Sequence, residues 1–337
     1  MDTRRTPPTM ADVAALAGVS HQTVSRVLND HPSVSAKARE QVLRAITQLG
    51  YRRNLAARTL ATGNSRVIGV LVSTTSLSGP SGAMLAIEEN ARTNGYWVSM
   101  GSLQVGSRDE VIEVAHHFID QGVDGVIAVA QTQSAVDATL EACSQLPTVL
   151  VTSGTVPDGC FTVDIDQHGG AQQAMTILRG LGHTRIAHVS GPAGDLHAAA
   201  RAAAWRESLP AAERERALVV TGDWSAQSGY QAALALQALD HPPTAVFAAN
   251  DRMAYGVLRA AYEAGAHVPR DLSVVGFDDI EGSDCTIPPL TTIRQNHDAL
   301  GAAALQLLLE AIRHEPVRRV KIPPEPVFRA SAGAPVS

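Results

Sequence analysis

Between residues 9 and 50, apolar side chains recur at helical spacing in three short runs. Met10, Val13, Ala14 and Leu16 stripe a segment from about Thr9 to Ala17. Val24, Val27 and Leu28 stripe a second from about His21 to Asn29. Ala38, Val42, Leu43, Ile46 and Leu49 predict an inward face on a third that opens after Ser35. The breaks are chemically apt: Gly18 suits a positive φ, Ser20 and Ser35 suit N-caps, and Gly50 suits a helix end. Residues 51–65 differ. Tyr51-Arg52-Arg53-Asn54 is polar and basic, Leu55 to Ala61 is an Ala-rich helix former with no core of its own, and Gly63-Asn64-Ser65 reads as a linker. So short a helix is marginal in water and is expected to fold only against DNA or a partner helix.

From Arg66 the pattern becomes α/β. Val67–Val72 is a continuous apolar strand, Met84–Asn94 a helix, Gly95–Met100 a strand, Arg108–Gln121 a helix, and Gly125–Val129 and Thr148–Val151 two more strands. After Asp166 the alternation resumes. Helices are expected at about 169–181, 198–208, 225–239 and 251–264, and strands at 185–189, 218–221, 245–248 and 272–277. Strands apolar on both faces and joined by helices imply doubly wound parallel sheets. Two such runs imply two lobes with a ligand cleft at the strand carboxyl ends. No internal sequence repeat is evident.

With 337 residues, 45% apolar and 18% charged, the chain is expected to be folded, in two or three domains. A net charge of −6 seems unsuited to nucleic acid, but its distribution points the other way. Residues 1–62 hold nine Arg or Lys against four Asp or Glu, a balance of +5 that leaves −11 for the rest. A small basic module on an acidic body is the layout of a DNA reader with a sensing domain. No apolar leader follows Met1 and no run approaches bilayer length, so a cytoplasmic protein without membrane contact is expected. Cys143, Cys160 and Cys285 form no CxxC pair and no zinc spacing; buried free thiols and no metal are expected. No GxGxxG, P-loop, GxSxG or HExxH occurs, so neither a cofactor nor catalysis is expected, and His183, His188 and His267 read as loop or surface histidines.

The densest motif runs from Ala14 to Asn29. Small residues where two helices cross, a glycine in the turn and a polar start to the second helix are what a helix-turn-helix requires. His21, Gln22 and Arg26 fall on one face, where glutamine can pair with adenine and arginine with guanine in the major groove. Ser20, Thr23, Ser25, Asn29 and Ser35 can bond phosphates and fix register. An ordinary helical hairpin is the bland alternative, disfavoured by the turn and the basic balance.

The run from Val13 to Val27 and Asn29, Val34-Ser35 and the Tyr51…Asn54 segment resembles the lactose repressor and galactose repressor family of bacterial transcriptional regulators. So do Gly222-Asp223-Trp224-Ser225, Ala249-Asn250-Asp251, Ser273–Asp279 and Ile287–Ile293, and the likeness covers nearly the whole chain, nearest in motif to the lactose-repressor branch. The resemblance implies an N-terminal all-α helix-turn-helix domain (1–50), a hinge helix and linker (51–65), and a two-lobed α/β periplasmic-binding-protein-like sensing domain (66–333). Within the last, it implies an N-lobe of about 66–165 and 297–324, a C-lobe of about 166–296 and 325–333, and a tail at 334–337. It also implies a homodimer on double-stranded operator DNA, released by a small carbohydrate effector, with galactosides among the candidates.

Residue roles follow from the same resemblance. Asn54, Ala57 and Leu60 match the hinge, with Leu60 wedging into the minor groove. Arg201, Asn250 and Asp278 match polar sugar contacts, Trp224 can stack a sugar face, and Ser73, Leu77 and Gln295 match pocket positions. The chain departs from the lactose-repressor pattern at Val151 in place of an aspartate, Val129 of an asparagine, His197 of a serine, His297 of a pocket phenylalanine, and His21 of a tyrosine. The effector and the half-site sequence therefore need not be the branch's own. The tail from Ala330 shows no leucine heptads, so the branch's tetramer-forming helix is not expected and a dimer is. A periplasmic-type solute-binding protein is the competing reading, and a nucleotide-dependent enzyme on a doubly wound fold a weaker one. Within the regulators, a corepressor-dependent variant stays open.

Overall fold

A computed structural model describes residues 8–28, 30–51, 64–73, 78–103 and 107–336. The chain divides into two units, Met1–Ser65 and Arg66–Ser337.

The first unit is three helices, α1 (Met10–Ala17), α2 (His21–Leu28) and α3 (Ala36–Leu49). Thr9 starts α1 with a capping box, its hydroxyl accepting from the Asp12 amide while the Asp12 carboxylate accepts from the Thr9 amide at 2.7 Å. Gly18 ends it at φ 66°. The Ser20 hydroxyl caps α2 through the Thr23 amide at 3.1 Å, and that of Ser35 caps α3 through the Ala38 amide. Val13, Ala14, Ala17, Val24, Val27, Val42, Ala45 and Tyr51 make the core. Two expected core leucines are not in it: Leu16 is 46% exposed and Leu43 51%. Ala17 and Ala45 face inward instead. Tyr51, read from sequence as part of the polar segment, closes this core.

In the second unit, five parallel strands come first: β1 (Val67–Ser73), β2 (Trp97–Leu103), β3 (Val126–Val129), β4 (Thr148–Val151) and β5 (Phe161–Ile165). They are joined by α4 (Ser78–Thr93), α5 (Arg108–Gln121) and α6 (Gln133–Ala142). The chain then builds a second lobe from α7 (Gln167–Gly180), β6 (Ile186–Ser190), α8 (Leu196–Glu207), β7 (Val219–Thr221), α9 (Ala226–Gln237), β8 (Ala245–Ala248), α10 (Asp251–Glu263), β9 (Ser273–Val275) and β10 (Thr292–Arg294). It returns to the first lobe for α11 (His297–Ile312) and β11 (Arg319–Ile322), and crosses back for β12 (Glu325–Val327). The sheets run β11-β5-β4-β3-β1-β2 and β7-β6-β8-β9, all parallel, with β10 and β12 as an antiparallel pair.

The apolar runs are continuous because both sheet faces are covered. Along β1, Ile68, Val70 and Val72 pack toward α4 and α11, while Leu71 packs toward α5 with Leu103 and Phe118. In the second lobe α9 and α10 touch backbone to backbone: a Cβ on Gly229 would lie 2.1 Å from the Met253 carbonyl, and one on Gly256 2.0 Å from that of Ala226.

Several expectations are corrected. Helix α4 starts at Ser78 rather than Met84, with Pro80 tolerated in its first turn, where an N–H has no helical partner anyway. Strand β2 starts at Trp97, because Gly95 at φ 73° still belongs to the turn. Of the three cysteines only Cys143 is buried; Cys160 is half-buried and Cys285 exposed. His188 is neither in a loop nor on the surface. It is fully buried in β6, stacked between Trp205 and Phe247, and burial drives its imidazole down to about 4. His183 does lie in a loop but is buried, bonding the Gly333 carbonyl at 2.9 Å. That contact belongs to a mooring of residues 330–333. The Ser331 hydroxyl donates to the Val274 carbonyl at 2.6 Å and accepts from the Thr291 amide at 2.8 Å.

Candidate functional site

Two surfaces have the features of sites. The first is on α2. At about 100° per residue, His21, Ser25, Gln22 and Arg26 fall within an arc of about 140°, opposite the buried Val24 and Val27. His21, Gln22 and Arg26 are exposed and Ser25 half-buried. Ser20, Thr23 and Ser35 already serve the fold, the first two bonded to each other at 2.9 Å and Ser20 and Ser35 capping helices. Their caps leave hydroxyls at the helix N-termini, where the helix dipole favours an anion. Asn29 lies outside the described residues, as do the hinge positions Asn54, Ala57 and Leu60 and the expected pocket residue Leu77. Ser73 ends β1, its side chain also outside that set.

The second surface is the cleft between the lobes. Arg201, Trp224, Asn250, Asp278 and Gln295 meet there, with Gly79, Pro80 and Gln131 from the first lobe and His197 from α8. Four of the five expected residues stand at strand ends: Trp224 follows β7, Asn250 follows β8, Asp278 follows β9 and Gln295 follows β10. Trp224 at φ 72° and Asp278 at φ 114° hold backbone conformations that side chains disfavour. Gly191 makes room for the indole; a Cβ there would come within 2.3 Å of the ring.

Arg201, 3% exposed, is the hub. Its Nε and one terminal nitrogen donate to the Gln167 side-chain oxygen at 2.9 and 2.7 Å, and the other terminal nitrogen donates to the Ala249 carbonyl. The Asp278 carboxylate lies 3.5 Å away, and the guanidinium stacks over the Phe277 ring at 3.7 Å. Gln167 donates to Gln295 at 3.0 Å, and Gln295 to Asp278 at 2.7 Å, closing a ring of bonds. Burial pushes the Asp278 carboxyl up, opposed by Arg201 and the Gln295 amide. Burial pulls the Arg201 guanidinium down, opposed by Asp278, Asp195, Asp164 and Asp251. Asn250 positions its neighbours: its side-chain oxygen caps α10 through the Met253 amide at 2.9 Å, and its nitrogen holds the Trp224 carbonyl at 3.1 Å.

The lobes also touch beside the cleft. The Leu196 amide donates to the Gln131 carbonyl at 2.9 Å, and His197 Nε2 lies 3.6 Å from Asp164 of β5. His297 opens α11, and its ring lies against Gly82, where a Cβ would come within 2.7 Å. Burial, with His197 and Arg201 nearby, pushes that imidazole down to about 4 against the pull of Asp298. The space among the cleft residues is about 30 Å³, the volume of one water. A larger ligand requires the lobes to part or side chains to turn.

Gln167 and Gln131 were missed from sequence. Gln167 carries no motif, only a polar residue at a helix start that proves to be buried. Among the described residues, no group of His, Cys, Asp and Glu could hold a metal ion, and no helix is long and apolar enough to cross a membrane.

Comparison with known proteins adds sequence and structural likeness. Residues 9–54 match the family model of bacterial regulatory proteins of the lacI family, and residues 175–332 that of a periplasmic binding protein-like domain. The lactose operon repressor of Escherichia coli (strain K12) is 37% identical over 321 residues, 93% of this chain and 87% of the relative. A crystal structure of the lac repressor dimer bound to operator and the anti-inducer ONPF superposes with a TM-score of 0.86 at 35% identity, covering 98% of this chain and all of that one. A complex of the transcriptional regulator CelR with cellobiose superposes at 0.70 with 31% identity, covering 96% and 99%.

Proposed function

The chain belongs to the lacI family of bacterial regulatory proteins, and from that premise we propose that it is a homodimeric, operator-binding transcriptional repressor released by a small sugar in the cleft between its lobes. The observation that carries the ligand half of this reading is the convergence between two lobes of Trp224, Asn250, Asp278 and Gln295 from strand ends with Arg201 from α8. The exposed face of His21, Gln22 and Arg26 supports the DNA half. A relative has been solved as a dimer on its operator and another with cellobiose bound. In this chain the edge strand β2 and the neighbouring α4 expose Met100 and Leu85, an apolar sheet edge suited to a second copy.

In the mechanism, α2 of each protomer reads one half-site, and Ser20, Thr23, Ser25, Asn29 and Ser35 hold phosphates. Asn54, Ala57 and Leu60 enter the minor groove at the operator centre. The sugar binds the DNA-incompetent arrangement of the lobes more tightly, since equal affinity for both states would shift nothing. The chain acts by binding in the cytoplasm and carries no catalytic step.

The test is fluorescence anisotropy on a labelled pseudo-palindromic duplex at fixed salt, titrated with galactosides and glucosides. Specific binding that a sugar reverses is expected. Binding that a sugar strengthens would make the ligand a corepressor. Sugar binding with no specific duplex binding would turn the case to a solute-binding role.

A further inference from the structure

Three crossings join the lobes, at residues 165–167, 294–297 and 322–325. The last two run side by side at the second lobe, because β10 and β12 pair antiparallel with Arg294 opposite Glu325. One leads on through Gln295 and Asn296 into α11, and the other brings the chain back from β11.

Asp278, which lines the cleft, is fastened to this pair by its backbone. Its amide donates to the Ile293 carbonyl at 2.8 Å, and its carbonyl accepts from the Gln295 amide at 3.4 Å. The next residue, Asp279 at φ 56°, sends its carboxylate to the crossings instead. One oxygen accepts from Arg294 Nε at 2.7 Å, and the other lies 2.7 Å from a terminal nitrogen of Arg329, two residues beyond β12. The Asp279 side chain is 7% exposed, and Arg329 is tied further to the Leu290 carbonyl at 2.8 Å. Two guanidinium groups this close repel each other unless a carboxylate stands between them.

The far side of the loop is held as firmly. Asp251, which follows Asn250, accepts from the Ile280 amide at 3.0 Å, the Ser283 hydroxyl at 2.7 Å and the Thr292 hydroxyl of β10 at 2.5 Å. Asp278 therefore sits in a loop that moves together with β10. Beyond Asn296, α11 is pressed on α4: a Cβ on Gly301 would lie 2.5 Å from the backbone of Ala86. Helix α4 is the one that exposes Leu85 on the face suited to a second copy.

We propose that Asp279 is a positioning residue for the switch: by clasping Arg294 and Arg329 it makes both crossings follow Asp278, so that a ligand in the cleft shifts α11 and, through it, α4. The inference rests on the sugar-released reading above and names how that site governs DNA. Asp279 itself meets no ligand. Without the clasp, a sugar still binds, but its binding no longer favours one arrangement of the lobes over the other, and the coupling between the two sites is lost.

The test is a paired measurement on the full-length protein at neutral pH and fixed salt, with methyl galactoside or methyl glucoside, whichever acts on the wild type. Anisotropy gives the affinity for the pseudo-palindromic duplex without and with saturating sugar. Calorimetry gives the sugar affinity of the free and the duplex-bound protein. In Asp279→Asn, the sugar affinity of the free protein is expected to stay within about threefold, while the ratio of the two duplex affinities shrinks about tenfold toward one. Reciprocity requires the two sugar affinities to converge by the same factor. Arg294→Met, at a half-exposed side chain, is expected to shrink the ratio likewise, and Arg294→Lys, which keeps the charge, to preserve most of it. A merely structural Asp279 would lower the urea midpoint and leave the ratio alone. An unchanged ratio in either Asp279→Asn or Arg294→Met overturns the inference and leaves a sugar-released repressor standing; where Asp279→Asn does not fold, Arg294→Met decides. Loss of sugar binding in Asp279→Asn also overturns it, since the residue would then build the cleft rather than transmit from it. A wild-type ratio of one with both sugars overturns the inference together with the reading it rests on.

Discussion

Replacing Arg201 by Met would remove the guanidinium from the centre of the cleft while keeping a side chain of similar reach. The structure states what is lost: two bonds to Gln167, one to the Ala249 carbonyl, the ion pair with Asp278 at 3.5 Å, and the cation over the Phe277 ring. Asp278 keeps only the Gln295 amide among these partners. Removing one member of a buried pair costs about 3–5 kcal/mol, mostly because the other charge is left uncompensated. Urea unfolding followed by tryptophan fluorescence should show that loss as a lower midpoint with an unchanged slope. Adding Asp278→Asn removes the orphaned charge and should return about 2 kcal/mol. The deficit of the single variant should also depend on pH. Without Arg201, the folded Asp278 carboxyl rises further above its unfolded value of about 3.9. The folded state then binds the extra proton, so the deficit is smallest below about pH 4 and grows as pH climbs through the folded value. A loss under about 1 kcal/mol, or a double variant no more stable than the single, would refute the view that this ion pair organises the cleft.

Gly229→Ala should cost about 1–3 kcal/mol, because the new Cβ meets the Met253 carbonyl at 2.1 Å; an unchanged urea midpoint would mean that α9 and α10 can slide apart freely. His188, held at about 4 against an unfolded value near 6.5, leaves the unfolded chain with more protons in that window. Its contribution is full above about pH 6.5 and falls by about 3 kcal/mol as pH drops to 4, so His188→Phe should lose stability less steeply on acidification, and parallel curves would count against it. Arg26→Ala should cost about 1–3 kcal/mol of discrimination at one position of each half-site and leave sugar affinity alone; a loss equal over all duplex sequences would make Arg26 a phosphate contact instead.

Helix α5 was legible from end to end, Arg108 to Gln121, because its stops are local: the Ser107–Glu110 capping box at one end and Gly122 at φ 65° at the other. Helix α11 was not read as an element. Its leucines and alanines are buried on several sides, against α4 and the sheet, so no polar stripe marks its period. Nor were α6, β5, β10, β11 and β12 foreseen; β10 and β12 have only three residues each, and their pairing joins segments about thirty residues apart. In the cleft, Arg201, Trp224, Asn250, Asp278 and Gln295 came from resemblance, and the structure places them together. Gln167, which holds Arg201 in place, gives no local signal, since its burial comes with partners far away in sequence, Arg201 and Gln295.

The return of the chain for α11 has a consequence for biosynthesis. The strands β1 to β5 are complete at Ile165, yet the helix that covers one of their faces begins only at His297. At 5–20 residues per second, the ribosome needs roughly 7–26 s to make the intervening stretch. During that interval Ile68, Val70, Ile127, Val149 and Val163 lack the leucines of α11 that cover them in the finished protein. The nascent first lobe therefore passes through a sticky, half-roofed stage that elongation speed, not final stability, determines. Moving 297–322 ahead of Val67 by circular permutation would let the roof emerge first and shorten the wait.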